Sequence, residues 1–441
     1  MKSPIPQRIT VRMYQVGFGD CFLVTFDYAA ELDDGRAVRH MLIDFGSTHA
    51  ADGSELTDIA DLIKQRLGGT LDVLVISHRH RDHIGAFAND DVMKSLRGLR
   101  PSLLLRPWTE DPQLRNPVGR GQPAERSYVR ALRNAQMFAD RLEATVPSKD
   151  RNASLDTLRH VAQASLTSNR IAIKRLDNWA SGAKTKALYL SAGEPVPLED
   201  YIPGVSCEVL GPPRIDQWPD IVRQRYNDAN EFWLTSRQLA DDAPAVPVST
   251  SDLREWEKLT APSGLGPARW LLDRLVTHHQ NNLIDLVDEM DGALNNTSLV
   301  LLFTAGNGRR RRRLLFPGDA QIENWAYVLK LVSELNDTRG LDDIDLVKVG
   351  HHGSRNATPK TLVGLWDEGK SCKRMVALMS TKSDVHGRNG QHPVPKPTLV
   401  EALKARMPLF RTDTLPAGRH VVTVQAAVDD RRRRFEQVDD A

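Results

Sequence analysis

The sequence predicts an α/β protein on three observations: apolar strand-like runs that alternate with helical spacing, a dense histidine and aspartate motif at the end of a buried strand, and long helix-rich stretches between the strands. Residues 9–26 hold two runs, ITVRMYQV and DCFLVTF, on either side of Gly17-Phe18-Gly19. A glycine pair between apolar runs marks a tight turn. MLIDFG at 41–46 reads as a third strand closing on Asp44, residues 55–67 have helical spacing, and LDVLVI at 71–76 is short, β-branched and bounded by Gly68-Gly69. The order strand, strand, strand, helix, strand predicts helices packed outside a sheet.

The motif follows at 77–85, SHRHRDHIG. Alternate side chains of an extended segment point the same way, so His78 and His80 project together. Asp82 and His83 come where the chain turns and face a second ion. Imidazole and carboxylate at this density suit zinc, with manganese as the alternative, and a solvated polar loop has no need of such an arrangement directly after a buried strand.

Composition narrows the class. A chain of 441 residues, 40% apolar and 26% charged, can bury one large core or two ordinary ones, and a formal charge of +2 is too small to argue for nucleic acid by itself. Cys21, Cys207 and Cys372 are odd in number and widely spaced, which fits a reducing compartment and three small core residues. No stretch reaches the roughly 20 apolar residues of a membrane helix, and the first residues lack an apolar signal core, so a cytoplasmic protein without membrane contact is expected.

The complete His-x-His-x-Asp-His pattern resembles the metallo-β-lactamase superfamily. VGFGDCFLVTF followed by MLIDFGS is similar, within it, to the ComEC-like group, the hydrolase domain of a competence protein, whose members read VGQGDA and then LIDTG. The similarity spans residues 9–90, 183–213 and 294–425. It implies an αββα sandwich with largely helical insertions forming a cap: core residues 1–106, a helical insertion at 107–182, core strands at 183–213, a second insertion at 214–293, and the second half of the core at 294–428. In the group's pattern, residues 186–213 form a glycine-centred hairpin and then a strand ending at a proline pair, and residues 294–303 form a further strand. Trp218, Trp233, Trp256 and Trp270 would form the core of the cap, which covers the site or meets a protein partner. Residues 429–441 read as a frayed charged tail.

The resemblance also implies a ligand set. His78 and His80 take one ion, Asp82, His83 and His351 the other, and Asp319, in PGD, lies between. His352 is the alternative to His351 in HHGS. One ligand is missing, because Asn295, Asn296 and Ser298 stand where many members supply a third histidine. Asp20 and Asp44 either support the site or merely end a turn and a strand.

The activity implied is a phosphodiesterase or nuclease that cleaves DNA or RNA with a hydroxide activated by two divalent ions. Asp82 would orient the nucleophile, and His352 or His392, which precedes Pro393, would protonate the leaving group. Lys348, Ser354, Asn296 and Ser298 are candidate contacts to the substrate. Arg309 and Arg311 join them, because the five arginines at 309–313 repel one another unless an anion or an acidic partner is near. Two alternatives stand beside this reading: a small-molecule phosphodiesterase of the phosphorylcholine-esterase type, and a partner-regulated effector or binding subunit of a bacterial defence system.

Overall fold

The opening strands form where the apolar runs predict them. β1 (Arg8–Tyr14) pairs antiparallel with β2 (Cys21–Asp27), and β3 (Val38–Phe45) pairs antiparallel with β2. The computed structural model describes residues 4–115, 121–133, 169–222, 225, 228–234, 291–368, 374–385, 393–416 and 418–439. α1 (Leu56–Leu67) opens with the Asp58 carboxylate accepting the Glu55 N–H at 3.3 Å and closes at Gly68, whose φ of 56° is left-handed. β4 (Leu71–Val75) then lies parallel to β3 and delivers α2 (Arg81–Ile84) beyond its carboxyl end. α3 (Asp90–Ser95), β5 (Pro101–Pro107), α4 (Arg170–Ala180) and β6 (Lys186–Leu190) follow, with β4, β5 and β6 parallel.

β7 (Val205–Gly211) belongs to a second sheet, antiparallel to β8 (Val300–Asn307), which turns at Gly308 into β9 (Arg310–Phe316). After α5 (Ile322–Leu335), β10 (Leu346–Lys348) lies parallel to β9. α6 (Lys360–Glu368), β11 (Val376–Met379), α7 (Pro397–Lys404) and β12 (Leu409–Arg411) extend that sheet in parallel. The chain returns to the first sheet with β13 (Val421–Ala427), antiparallel to β1, and β14 (Glu436–Gln437). The result is an α/β protein of two mixed sheets with flanking helices, in the orders β14-β13-β1-β2-β3-β4-β5-β6 and β12-β11-β10-β9-β8-β7.

Strand alternation divides the apolar side chains into three layers. Phe22, Val24, Ile43 and Val73 of the first sheet share one core with Leu301, Phe303, Leu314 and Leu378 of the second. Leu42 and Leu74 face the other way, onto Ile59, Ile63, Leu176 and Trp179 of α1 and α4. Leu302, Leu315 and Ala377 meet Trp325, Trp366 and Leu399 of α5, α6 and α7. The helix at the end of the first expected insertion thus joins the same apolar layer as α1, and Phe232 and Leu234 of the second join the layer of α5. Trp218 stacks near Lys330 and Tyr327, and the Trp233 indole N–H donates to the Thr358 carbonyl at 2.6 Å. Trp256 and Trp270 lie outside the described residues.

Three expectations need correction. The glycine-centred hairpin does not form: β6 pairs with β5, no strand returns between it and β7, and the connection buries Leu198 and Ile202 in the shared core, whereas the expected strand before Pro212-Pro213 is β7, paired with β8. Residues 291–295 are helical and β8 begins only at Val300, so Asn296 and Ser298 stand in a turn before the strand. The C-terminal residues, through Asp439, are folded rather than frayed, with β14 paired and Phe435 buried in the shared core.

The arginine run supplies the reason the tail is held. Arg312 is buried, donates to the Ala427 carbonyl at 2.8 Å, and lies over the Phe435 ring. Asp343 and Asp345 face it from the loop before β10. Asp343 takes Arg311 at 2.9 Å and Arg431 at 3.0 Å, and Asp345 takes Arg374 at 3.0 Å and Arg431 at 2.9 Å. Two arginines of the run, Arg311 and Arg312, thus find acidic partners in the protein itself. Among the described residues no helix is long and apolar enough to cross a membrane.

Candidate metal centre

The motif after β4 keeps the two-residue period of a strand. His78 and His80 leave on one side, their rings 4.7 Å apart, while Arg79 leaves on the other to donate to Glu110 at 2.5 Å. α2, with His80 as its N-cap, then turns Asp82 and His83 inward, both buried. Close backbone approach fixes this turn. A Cβ at Gly19 would lie 2.6 Å from the Asp82 carbonyl oxygen, and one at Gly46 would lie 2.5 Å from the Arg81 carbonyl oxygen. The glycines of VGFGD and LIDFG are thus the floor on which the motif rests, and the Asp20 N–H donates to the Asp82 carbonyl at 2.8 Å.

The second sheet supplies the remaining groups from the carboxyl ends of β9 and β10. Asp319 lies three residues beyond β9, and the turn Gly350–Gly353 follows β10 with His351 and His352 both left-handed, at φ 43° and 52°. That turn carries His352 into the interior. Its Nε2 lies 3.0 Å from Asp82 Oδ2 and 3.4 Å from Asp319 Oδ2, while His83 Nε2 lies 3.0 Å from Asp319 Oδ2. Asp82, His83, Asp319 and His352 form one buried group with ligand atoms within 4.8 Å of one another, and His78, His80 and Asp82 form a second. Sharing Asp82, the two groups can hold metal ions side by side.

Neighbouring side chains set which nitrogen each imidazole presents. His83 Nδ1–H donates to Asp44 Oδ2 at 2.8 Å, and His352 Nδ1–H donates to the Ser380 carbonyl at 3.0 Å. Ser77 Oγ donates to Asp44 Oδ2 at 2.6 Å and so accepts from His78 Nδ1 at 3.1 Å. Each ring then offers Nε2, the arrangement that orients metal-bound histidines. His78 Nε2, His80 Nε2, His83 Nε2, Asp82 Oδ1 and Asp319 Oδ2 are buried and find no hydrogen-bond partner among the described residues. Unsatisfied buried polar atoms are costly, and these converge on one place. The donor set fits divalent metal ions.

The electrostatics agree. Burial pulls the His78 imidazole down, and pulls His80 down to about 4, so both are neutral donors near pH 7. Burial alone would raise the Asp82 and Asp319 carboxyls, but His83 beside both, His352, and Lys348 beside Asp319 outweigh it and hold both below the usual range. The carboxylates in turn overcome the burial that would lower His83 and His352, and draw both toward the imidazolium. A pocket that concentrates positive charge in this way exchanges protons for a metal cation on binding.

The structure redistributes several expected roles. His351, expected first as the late ligand, is only partly buried and sets Nδ1 3.4 Å from Gln321 Nε2; His352 is the histidine that enters the cluster, because the left-handed pair turns it inward. Lys348 does not reach toward a substrate. Its buried ammonium donates to Asp20 at 2.5 Å, to Asp319 at 2.8 Å and to the Gly318 carbonyl at 2.7 Å, which occupies all three donors and holds it charged against burial.

Asn296 and Ser298 are likewise internal supports. Asn296 donates to Glu323 at 2.7 Å and accepts the Gln321 N–H at 3.1 Å, and Ser298 Oγ accepts the Asp319 N–H at 3.2 Å. Ser354 is buried against Asn356. Arg309 and Arg311 sit at the amino end of β9, about 15–20 Å of strand away from Asp319, since each strand residue advances about 3.3 Å. Substituting either by alanine is therefore expected to leave kcat and KM of a hydrolytic assay within about twofold, provided the fold is intact by circular dichroism. His392 lies outside the described residues.

Asp44, Ser77 and Ser380 are the supports that motif reading leaves undecided or unseen. Asp44 alone had a visible signal, its place at the end of a strand beside the motif strand. Asp44→Ala is expected to weaken metal uptake by roughly 10- to 100-fold, measured by competition with a chromophoric chelator. No family model, no curated protein and no solved structure matches this chain.

Proposed function

We propose that this chain is a metal-dependent hydrolase built as a metallo-β-lactamase-type αββα sandwich, and that it cleaves phosphodiester bonds in DNA or RNA. The observation that carries the proposal is the convergence of two carboxylate oxygens and three imidazole nitrogens from both sheets onto one buried place. There His78 Nε2, His80 Nε2 and Asp82 Oδ1 find no hydrogen-bond partner among the described residues, and His83 Nε2 and Asp319 Oδ2 face only each other as an ion pair with His352 beside them. The shared core between the sheets, with helix-facing layers outside, supports the sandwich. Divalent ions at such a centre lower the pKa of water and stabilise charge on a phosphoryl oxygen.

The chain's own residues divide the remaining work. His78, His80, Asp82, His83, Asp319 and His352 would hold the ions, with Asp44, Ser77 and Ser380 fixing the three imidazoles that touch them. Asp82 belongs to both groups and is the carboxylate placed to orient an attacking water, while the buried walls keep bulk solvent away. The substrate class rests on the similarity of the HHGS, NNTS and His-Pro segments to the ComEC-like group.

The test is cleavage of linear and circular duplex DNA, single-stranded DNA, RNA and bis(p-nitrophenyl) phosphate with added Mn²⁺ or Zn²⁺, beside an Asp82→Ala/Asp319→Asn double variant. Cleavage of a polymer that disappears in the variant is the expected result. Turnover of the small diester alone would move the substrate to small phosphodiesters, and no hydrolysis of any of them by protein carrying its ions would overturn the proposal.

A further inference from the structure

His78 and His80 leave one side of the extended segment after β4, and Arg79 leaves the other. Whatever holds Arg79 therefore sets the rotation of that segment, and with it the direction of both imidazoles. We propose that Glu110 and Asn169 are positioning residues for the ion held by His78, His80 and Asp82, acting through the side chain and the carbonyl of Arg79. The inference rests on the binuclear reading above, and it gives the first insertion a role at one of the two ions.

Glu110 closes a short helical turn, Trp108–Glu110, directly after β5. Its buried carboxylate accepts from Arg79 Nε at 2.5 Å through one oxygen and from Arg106 Nη2 at 3.1 Å through the other. Burial alone would raise this carboxyl, but Arg79, Arg106 and Arg115 outweigh it and hold it down at about 2, so it is charged at neutral pH.

Asn169 holds the same residue from the backbone. It occupies the N-cap of α4, where an asparagine side chain ordinarily accepts from its own helix. Here it makes no such bond, and its Nδ2 donates instead to the Arg79 carbonyl at 2.9 Å. The helix braces the carboxylate as well: Arg106 and Arg115 donate to Asp177 of α4 at 2.6 and 3.0 Å. Desolvating such charges offsets much of their attraction, so the network adds little stability; what it supplies is a single arrangement behind the ligand pair. The rings of the second group take their orientation from other partners, Asp44 for His83 and the Ser380 carbonyl for His352. Loss of Glu110 or Asn169 is therefore felt by one ion.

The experiment is Zn²⁺ titration of chelator-stripped full-length protein by calorimetry, with elemental analysis after desalting and Co²⁺ absorption as the spectroscopic signature. Wild type is compared with Glu110→Gln, Asn169→Ala and Asp345→Asn. The last removes a buried carboxylate from the ion pairs at the opposite end of β10 from His352, and is the destabilised control. Glu110→Gln and Asn169→Ala are also made in the His352→Ala background, which keeps only the ion in question.

The expected result is two ions on wild type, with affinity for one of them lower by 10- to 100-fold in Glu110→Gln and about 10-fold in Asn169→Ala, and an altered Co²⁺ spectrum. The other ion stays within a few-fold, Asp345→Asn leaves both unchanged, and in the His352→Ala background the remaining ion weakens by the same factors. Two ions of unaltered affinity and spectrum in either variant would overturn the role of that residue. An equal loss of both ions, or a loss that Asp345→Asn reproduces, would overturn the inference as a whole. If circular dichroism shows Glu110→Gln misfolded, Asn169→Ala, which leaves the charges in place, decides. Fewer than two ions on wild type would overturn the binuclear reading and this inference together.

Discussion

His352→Ala is expected to lose one of two ions, with affinity down on the order of 100-fold or more and phosphodiester hydrolysis falling with it, whereas His351→Ala keeps both ions within a few-fold of wild type. The two residues are adjacent and chemically identical, so the contrast isolates geometry. His352 Nε2 faces Asp82 and Asp319 at 3.0 and 3.4 Å, and its Nδ1 is tied to the Ser380 carbonyl. His351 reaches Asp319 only through its backbone N–H, at 3.2 Å, which alanine retains. Isothermal titration with Zn²⁺ measures both variants, and equal losses, or the reverse order, would contradict the placement of His352.

Lys348→Met should destabilise the chelated protein by about 3–5 kcal/mol, because removing one partner of a buried ion pair leaves uncompensated charge. Two carboxylates depend on this ammonium, Asp20 at 2.5 Å and Asp319 at 2.8 Å, and none of the three groups is more than slightly exposed. Urea unfolding in the presence of chelator gives the value. Saturating Zn²⁺ should narrow the deficit, since an ion bound to Asp319 restores part of the lost positive charge. A midpoint like that of wild type would show that the ammonium contributes little there.

How much of this was legible in the chain depended on the range of the interaction. Period two after an apolar strand was enough to aim His78 and His80 together, and the turn at Arg81 was enough to set His83 in a second group, but it could not show that Asp82 belongs to both. The opening strands followed from glycine positions and apolar runs, and α1 from helical spacing. What failed was long-range or conformational. HHGS could not reveal two consecutive left-handed residues, and these decide which histidine enters the cluster. RRRRR is visible as charge, but its partners Asp343 and Asp345 and its distance from Asp319 are products of the strand order. Lys348 read as a free cation because Asp20 is more than three hundred residues distant in sequence. The stretch after β6 looked like the return of a glycine-centred hairpin, and only the burial of Leu198 and Ile202 shows it to be the connection from the first sheet to β7 in the second.

The position of the histidine and aspartate cluster has a mechanical consequence. Residues 78–83 hang from the first sheet, and Asp319 and His352 hang from the second. The Lys348–Asp20 pair and the Ser380 hydroxyl donating to the Gly19 carbonyl cross the same boundary. An ion gripped from both sides acts as a rivet, and its binding free energy counts toward the cohesion of the two halves. Stripping the ions would then loosen amide hydrogens along that boundary toward local opening while the outer helical layers stay protected.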